Sequence, residues 1–251
     1  MAARASETPA PMAPIGDVDA VTFDFYDTLA HHASGQGRGA LLMEYFRVEG
    51  ITCDAWEHKV LYDVFEPHAT EYSPDHSEEQ KQQYYGVLAE RLFRRLNVRN
   101  AEGGVAKHAV TLWRLLGPAS LSIFPEVPDV VARLRAAGYP LAVVSNWQCG
   151  LRNFCVELGI AGDFDHVIAS AEVGYAKPAP EIFHEACRRL GTVPQRVLHV
   201  GDSITDDIDG GRAAGLQTLL VRRDHANGEH AGPAVASLAE VPKLLGLQAG
   251  P

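Results

Sequence analysis

The chain has 251 residues, of which 46% are hydrophobic and 22% are charged, and its formal net charge is -10. This length suits one large domain or a core domain with a smaller insert, and the composition is that of an ordinary globular protein. No basic block offsets the acidic balance and no apolar run approaches the roughly 18 residues of a membrane span, so we expect neither a nucleic-acid nor a membrane partner.

The first segment, residues 1–17, is rich in Ala and Pro. It lacks the apolar centre of a signal peptide, so we expect a disordered leader and a cytoplasmic location as the default.

The stretch VTFDFYDTLA follows at residues 21–30. Its apolar start predicts a buried strand, but the run ends abruptly in Asp24, and Asp27 and Thr28 come soon after. A carboxylate at the end of a buried strand is either a turn former or a functional group.

The next segment, residues 33–118, has a different character. Apolar residues recur at helical spacing and no convincing strand is present, which predicts an all-helical insert. Its helical patterns are RGALLMEYFRVEG, WEHKVLYDVFEPHATEY, SEEQKQQYYGVLAERLFRRLN and KHAVTLWRLLG. The apolar stripe of the third pattern, from Tyr85 through Leu88 and Leu92 to Leu96, is typical of helix packing.

The remaining chain alternates short apolar runs with helical patterns. Strands are predicted within residues 139–147, 166–170, 194–203 and 216–223. This rhythm is typical of parallel βαβ units. We therefore predict an α/β fold, a Rossmann-like doubly wound parallel sheet formed by residues 18–32 and 119–251, with the helical domain of residues 33–118 inserted after the first strand.

Polar side chains collect where these strands end. The second strand ends in Ser145 and Asn146, and Lys177 follows the next strand within GYAKPAPEIF. The following long strand ends in Asp202, with the adjacent acids of residues 206–207 shortly after. The carboxyl ends of parallel strands lie at one edge of a sheet, where ligands bind. Clustered acids repel each other unless a cation lies among them, so we expect a divalent metal with oxygen ligands, Mg²⁺ being the usual one.

In these four motifs the chain resembles the haloacid dehalogenase (HAD) superfamily from about residue 18 to about residue 225, and the insert resembles the C1-type helical cap of its subfamily IA. The resemblance implies a phosphatase in which a carboxylate attacks phosphorus and forms an aspartyl-phosphate that water hydrolyses. The resemblance implies three catalytic residues, which are Asp24 as nucleophile, Lys177 and Asp207. The phosphate-binding residues that it implies are Thr28, Ser145, Asn146 and Lys177. The metal ligands that it implies are Asp24, the backbone carbonyl of Tyr26 and Asp202. Asp206 competes with Asp207 for its role, and Asn146 can instead shape the loop.

Tyr26 departs from the pattern of the superfamily's phosphatases, most of which carry a general acid there. Its 2-haloacid dehalogenases have Tyr at this position and need no metal, whereas Asp202 matches the phosphatases. Two alternatives stay open beside the phosphatase: a 2-haloacid dehalogenase, and a weakly active or non-enzymatic binder of phosphate ligands. Asp27 cannot simply be assumed to replace the missing acid, since neighbouring residues point to opposite sides.

The insert is expected to select a small phosphorylated substrate, because the core contacts only the phosphoryl group. Gly35, Gly37 and Gly39 are candidates for a hinge, and the oligomeric state is expected to be monomeric or homodimeric. The candidates for lining the site are His31, His32, Arg38, Tyr45, Tyr62, His68, Tyr84 and Tyr85.

Overall fold

The computed structural model describes residues 15–54, 60, 64, 73, 75–223 and 232–247. Most of the predicted leader and two of the candidate lining residues, Tyr62 and His68, lie outside the described residues.

The central sheet has six parallel strands in the order β5-β4-β1-β6-β7-β8. They are β1 (Ala20–Phe23), β4 (Leu141–Ser145), β5 (His166–Ala169), β6 (Val197–Gly201), β7 (Gln217–Val221) and β8 (Ala234–Val235). All residues of β1, β4 and β6 are buried. The predicted α/β doubly wound fold is thus confirmed, and β1, which carries the first motif, lies between β4 and β6.

Helices cover both faces of this sheet. The helices of the described core are α4 (Val127–Ala136), α5 (Leu151–Glu157), α6 (Ser170–Val173), α7 (Pro180–Leu190), α8 (Gly210–Ala213) and α9 (Val241–Leu244). Because side chains alternate along a strand, Val21 and Phe23 join the larger apolar cluster, whereas Ala20 packs with Ile182 and Phe183 of α7 in a second cluster.

The insert contains α1 (Arg38–Val48), α2 (Glu78–Arg95) and α3 (Gly104–Leu116). Ser77 caps the start of α2, where its hydroxyl accepts a hydrogen bond from the backbone N–H of Gln80. Leu88 and Leu92 of the predicted stripe are buried, as is Leu96 just beyond the helix. Within the described ranges, none of the helices combines the length and the apolar character that crossing a bilayer requires.

A two-stranded antiparallel ribbon joins the two ends of the insert. It pairs β2 (Ala30–His32) with β3 (Leu121–Ile123). Neither this ribbon nor β8 was predicted, because strands of two or three residues are too short to establish an alternating pattern. The ribbon begins six residues after Asp24, so the first motif and the insert are directly connected.

Candidate active site

The first motif forms a tight turn at the carboxyl end of β1. Asp24 directly follows β1, and its backbone N–H donates to the carbonyl of Val200 on β6 at 2.9 Å. Asp27 has a φ of +58°, and its N–H donates to the carbonyl of Ala30 at 2.7 Å. This left-handed conformation favours Gly, Asn and Asp, which accounts for an acid where the related motifs commonly have Gly.

Lys177 lies between two carboxylates in the interior of the site. Its Nζ donates to Oδ1 of Asp24 and to Oδ1 of Asp207, each at 2.5 Å, and the residue is only 5% exposed. Although burial opposes it, the two acids raise the pKa of Lys177, so the ammonium stays charged. The hydroxyl of Ser145 donates to the same Asp24 oxygen at 2.9 Å.

Three carboxylates form a candidate metal centre. One oxygen atom from each of Asp24, Asp202 and Asp207 lies within 4.8 Å of the others. Burial, and then the negative charges of Asp24 and Asp207, raise the pKa of Asp202 well above its usual range. Burial also raises the pKa of Asp24, against the opposing ammonium of Lys177. Asp24 and Asp202, the two carboxylates whose pKa values are raised, are suited to bind a divalent cation, which would offset the repulsion between their negative charges.

Thr28 joins the first and fourth motifs. Its hydroxyl donates to Oδ1 of Asp202 at 3.2 Å, and its carbonyl accepts from Nη2 of Arg223 at 2.8 Å. In this structure Thr28 therefore orients a predicted metal ligand, and its predicted contact with phosphate stays a prediction.

Asp206 and Asp207, the two candidates for one role in the fourth motif, differ in their contact with Lys177. Both lie on a π-helical turn, Ile204–Asp209, and Asp207 is the one that contacts Lys177. Burial alone would raise the pKa of Asp207, but Lys177 and His199 hold it well below its usual range. Asp207 also packs directly against Gly201, where a Cβ would collide with its carboxylate.

His199 was missed by the sequence analysis. It lies fully buried on β6, where Nε2 is 3.0 Å from Oδ1 of Asp207 and Nδ1 is 2.9 Å from the hydroxyl of Thr22. Thr22 and His199 are partners in the pairing of β1 with β6. A polar residue in each of two neighbouring apolar strands was the sequence signal that could have indicated His199.

The side chain of Asn146 forms hydrogen bonds with the backbone of Lys177. Its Oδ1 accepts from the N–H of Lys177 at 2.6 Å, and its Nδ2 donates to the Lys177 carbonyl at 2.9 Å. The side chain thus fixes the segment that carries the ammonium. Its predicted contact with phosphate stays a prediction.

The ring of Tyr26 lies in an aromatic cluster beside Trp147 and Arg38. Its ring stacks on Trp147 at a centroid distance of 6.4 Å, and the guanidinium of Arg38 lies 5.7 Å from its centroid. Burial and the charge of Asp27 raise the pKa of the phenol to about 12.

Most of the other described lining candidates pack elsewhere. His31 contacts Phe124, the hydroxyl of Tyr45 contacts His108, and Tyr85 stacks on Trp113 at 4.4 Å. His32 contacts Ser34, Tyr84 contacts Trp113, and Arg38 reaches the aromatic cluster beside the first motif.

Comparison with known proteins adds family relationships to this geometry. A family model for haloacid dehalogenase-like hydrolases matches residues 18–215. A glyceraldehyde 3-phosphate phosphatase from Methanopyrus kandleri is 30% identical, over 82% of this chain and 84% of the relative. Human N-acylneuraminate-9-phosphatase is 27% identical, over 91% of this chain and 94% of the relative.

A solved structure shares the fold. The crystal structure of a HAD phosphatase from Thermococcus onnurineus has a TM-score of 0.60 and 22% identity, covering 91% of this chain and 98% of its own. The family match spans four of the six strands of the sheet, the insert and all four motifs, and the chain therefore belongs to the haloacid dehalogenase-like hydrolase family.

Proposed function

We propose that this hydrolase is a magnesium-dependent phosphatase that acts on a small phosphorylated metabolite. The observation that carries the proposal is the position of Asp24, which contacts the ammonium of Lys177 and faces the carboxylate of Asp202 across the candidate metal centre. The phosphatase names of the two curated relatives support the same reaction class.

In this mechanism an oxygen of Asp24 attacks phosphorus in line with the leaving oxygen. An Asp24–phosphorus bond forms, the bond from phosphorus to the leaving oxygen breaks, and water later cleaves the aspartyl-phosphate. Lys177 and Ser145, which already contact Asp24, would stabilise the charge on the phosphoryl oxygens. Asp24, Asp202 and the carbonyl of Tyr26 would hold Mg²⁺, which when bound neutralises charge between nucleophile and phosphoryl group.

The leaving group receives no proton from Tyr26 in this mechanism. A phenol whose pKa is raised to about 12 is a weak acid, far from the pKa near the operating pH that suits a general acid, and its ring stacks on Trp147. Lack of a general acid typically costs about 10²–10⁴-fold in rate. We therefore expect the protein to prefer substrates with good leaving groups, or to use a proton supplied by the substrate or the insert.

The helical insert, residues 33–118, would act as the cap over this site. Its ends are joined by the β2–β3 ribbon, and the ribbon begins within the first motif's turn. Closure would exclude water during attack on phosphorus and opening would admit it afterwards. The hinge at Gly35, Gly37 and Gly39, the cytoplasmic location and the monomeric or homodimeric state stay predictions.

The test is hydrolysis of an activated aryl phosphate and of acetyl phosphate by the purified protein, with Mg²⁺ and with chelator. We expect turnover that requires both Mg²⁺ and the carboxylate of Asp24, so Asp24→Asn should lower the rate by at least about 10³-fold. Asp209→Asn, an exposed acid on the same π-helical turn as Asp207, is the matched control and should keep full activity.

Absence of metal-dependent turnover on every phosphate ester would contradict the phosphatase. Halide release from 2-haloacids without metal would then support the dehalogenase, which Tyr26 favours. Magnesium-dependent binding of phosphate analogues without turnover would support the non-enzymatic binder.

A further inference from the structure

Arg38 is a buried cation that forms no ion pair with the acids the structure describes. It is 6% exposed, and its Nη2 donates to the backbone carbonyl of Leu116 at 2.9 Å. Among the residues that the structure describes, no carboxylate forms an ion pair with this guanidinium, and its Nε–H is buried without an acceptor. A neutral carbonyl therefore satisfies only part of its hydrogen-bonding capacity.

Such a residue is costly to the folded protein. Removing a charge from water without a paired carboxylate is unfavourable, and burial lowers the pKa of Arg38 to about 10 although the charge of Asp27 opposes this shift. The position of Arg38 adds to the cost, because it is the first residue of α1, the positive end of the helix dipole, and the first turn contains no acid. Arg223, a partly buried arginine beside the first motif, is paired with Glu126.

The guanidinium lies against both loops that carry the phosphoryl site. Its Cζ is 4.5 Å from the ring centroid of Trp147 and 5.7 Å from that of Tyr26. Trp147 follows Ser145 by two residues and Tyr26 follows Asp24 by two residues. The indole N–H of Trp147 is also buried without an acceptor among the described residues.

The guanidinium of Arg38 and the indole N–H of Trp147 lie at the junction between core and insert. Arg38 comes from α1 of the insert, whereas Asp24, Ser145 and Lys177 come from the core and would hold the phosphoryl group. The remainder of a bound substrate would extend towards the insert, where the Nε–H of Arg38 and the indole N–H of Trp147 are buried without an acceptor among the described residues.

We propose that Arg38 binds a carboxylate on the leaving-group part of the substrate, so that the substrate class is phosphorylated hydroxy acids. One buried guanidinium is matched by one negative charge, and its planar fork suits the two oxygens of a carboxylate. A second phosphate dianion would instead leave excess negative charge in a buried site. This assignment rests on the proposed phosphatase function.

The experiment compares phosphoryloxy acids of two to five carbons with alkyl phosphates of the same carbon count. For the wild type we expect kcat/KM to be about 10- to 100-fold higher for at least one acid than for its matched alkyl phosphate. Arg38→Gln should remove this preference, because kcat/KM should fall about 10- to 100-fold more for the acid than for its matched alkyl phosphate. Arg38→Lys, which keeps the charge but not the fork, should retain part of it.

Arg47→Gln is the matched control, because Arg47 lies on the same helix with its side chain 72% exposed, and it should keep the preference. Equal kcat/KM for acids and alkyl phosphates in the wild type would overturn the proposal, as would equal losses on both substrates in a folded Arg38→Gln protein. Turnover of the alkyl phosphates tests the phosphatase function separately. The wild-type comparison decides the matter even where Arg38→Gln does not fold.

Discussion

At the scale of single residues, Tyr26 departs from the pattern of the first motif in its side chain. Its ring packs on Trp147, and the guanidinium of Arg38 lies 5.7 Å from its centroid. The side chain thus belongs to the junction with the insert rather than to proton transfer.

We therefore expect Tyr26→Phe to change kcat for an aryl phosphate by less than about threefold. The reason is that the ring packs on Trp147, and that a phenol with a pKa of about 12 is a poor general acid near neutral pH. The measurement is the pH–rate profile between pH 5 and 9, with Tyr45→Phe as the control phenol in the insert. A loss of about 10²-fold, or a displaced alkaline limb, would identify Tyr26 as the general acid after all.

The residues of the site differ in how far the sequence predicts them. Asp24, Ser145 and Asp202 lie at the ends of neighbouring parallel strands, so period and topology are enough to bring them together. The choice of Asp207 depends on a π-helical turn, and no propensity rule predicts that local register. The burial of Arg38 depends on how the insert packs against the core, and the hydrophobic periodicity of the sequence does not predict that packing.

At the scale of elements, a partly buried ion pair connects the first motif to the far edge of the sheet. Arg223, just after β7, donates to Glu126 before α4 and to the carbonyl of Thr28, and its guanidinium lies 3.5 Å from the ring centroid of Phe124. Ser237 donates to the same carboxylate at 3.1 Å. Four separate segments are thereby held in one arrangement.

This pair predicts a pH-dependent part of the protein's stability. Although burial opposes it, the backbone N–H of Glu126 itself, then the guanidinium of Arg223 and the hydroxyl of Ser237, hold the pKa of Glu126 below its ordinary value of 4.5. A lowered folded-state pKa contributes stability above pH 4.5 that disappears as the pH falls through the folded-state value. Glu126→Gln should therefore lower the free energy of unfolding by about 1–3 kcal/mol at pH 7, with a smaller difference at pH 3.5.

Urea unfolding of the wild type and Glu126→Gln at both pH values measures this difference. Glu44→Gln removes a carboxylate from an exposed pair with Arg47 and should change the free energy of unfolding little at either pH. A Glu126→Gln deficit that is equal at pH 7 and pH 3.5 would assign the loss to packing rather than to charge.

At the scale of the whole molecule, the fold holds three acids together at some cost to itself. Asp24 follows β1, Asp202 follows β6 and Asp207 lies on the π-helical turn, so the sheet fixes carboxylates that would otherwise separate. The ammonium of Lys177 contacts Asp24 and Asp207, whereas Asp202 receives a hydroxyl of Thr28, which carries no charge. Metal binding and folding are therefore expected to be coupled through Asp202.

Mg²⁺ at about 100 times its dissociation constant should raise the free energy of unfolding by about 2.7 kcal/mol, or Tm by about 5–10 °C. Asp202→Asn should remove this gain and, in chelator, unfold at a higher temperature than the wild type, because the amide no longer repels the other two carboxylates. Asp209→Asn should behave as the wild type. A full magnesium-dependent gain in Asp202→Asn would place the cation elsewhere, since a ligand stabilises the fold only through residues that bind it in the folded state.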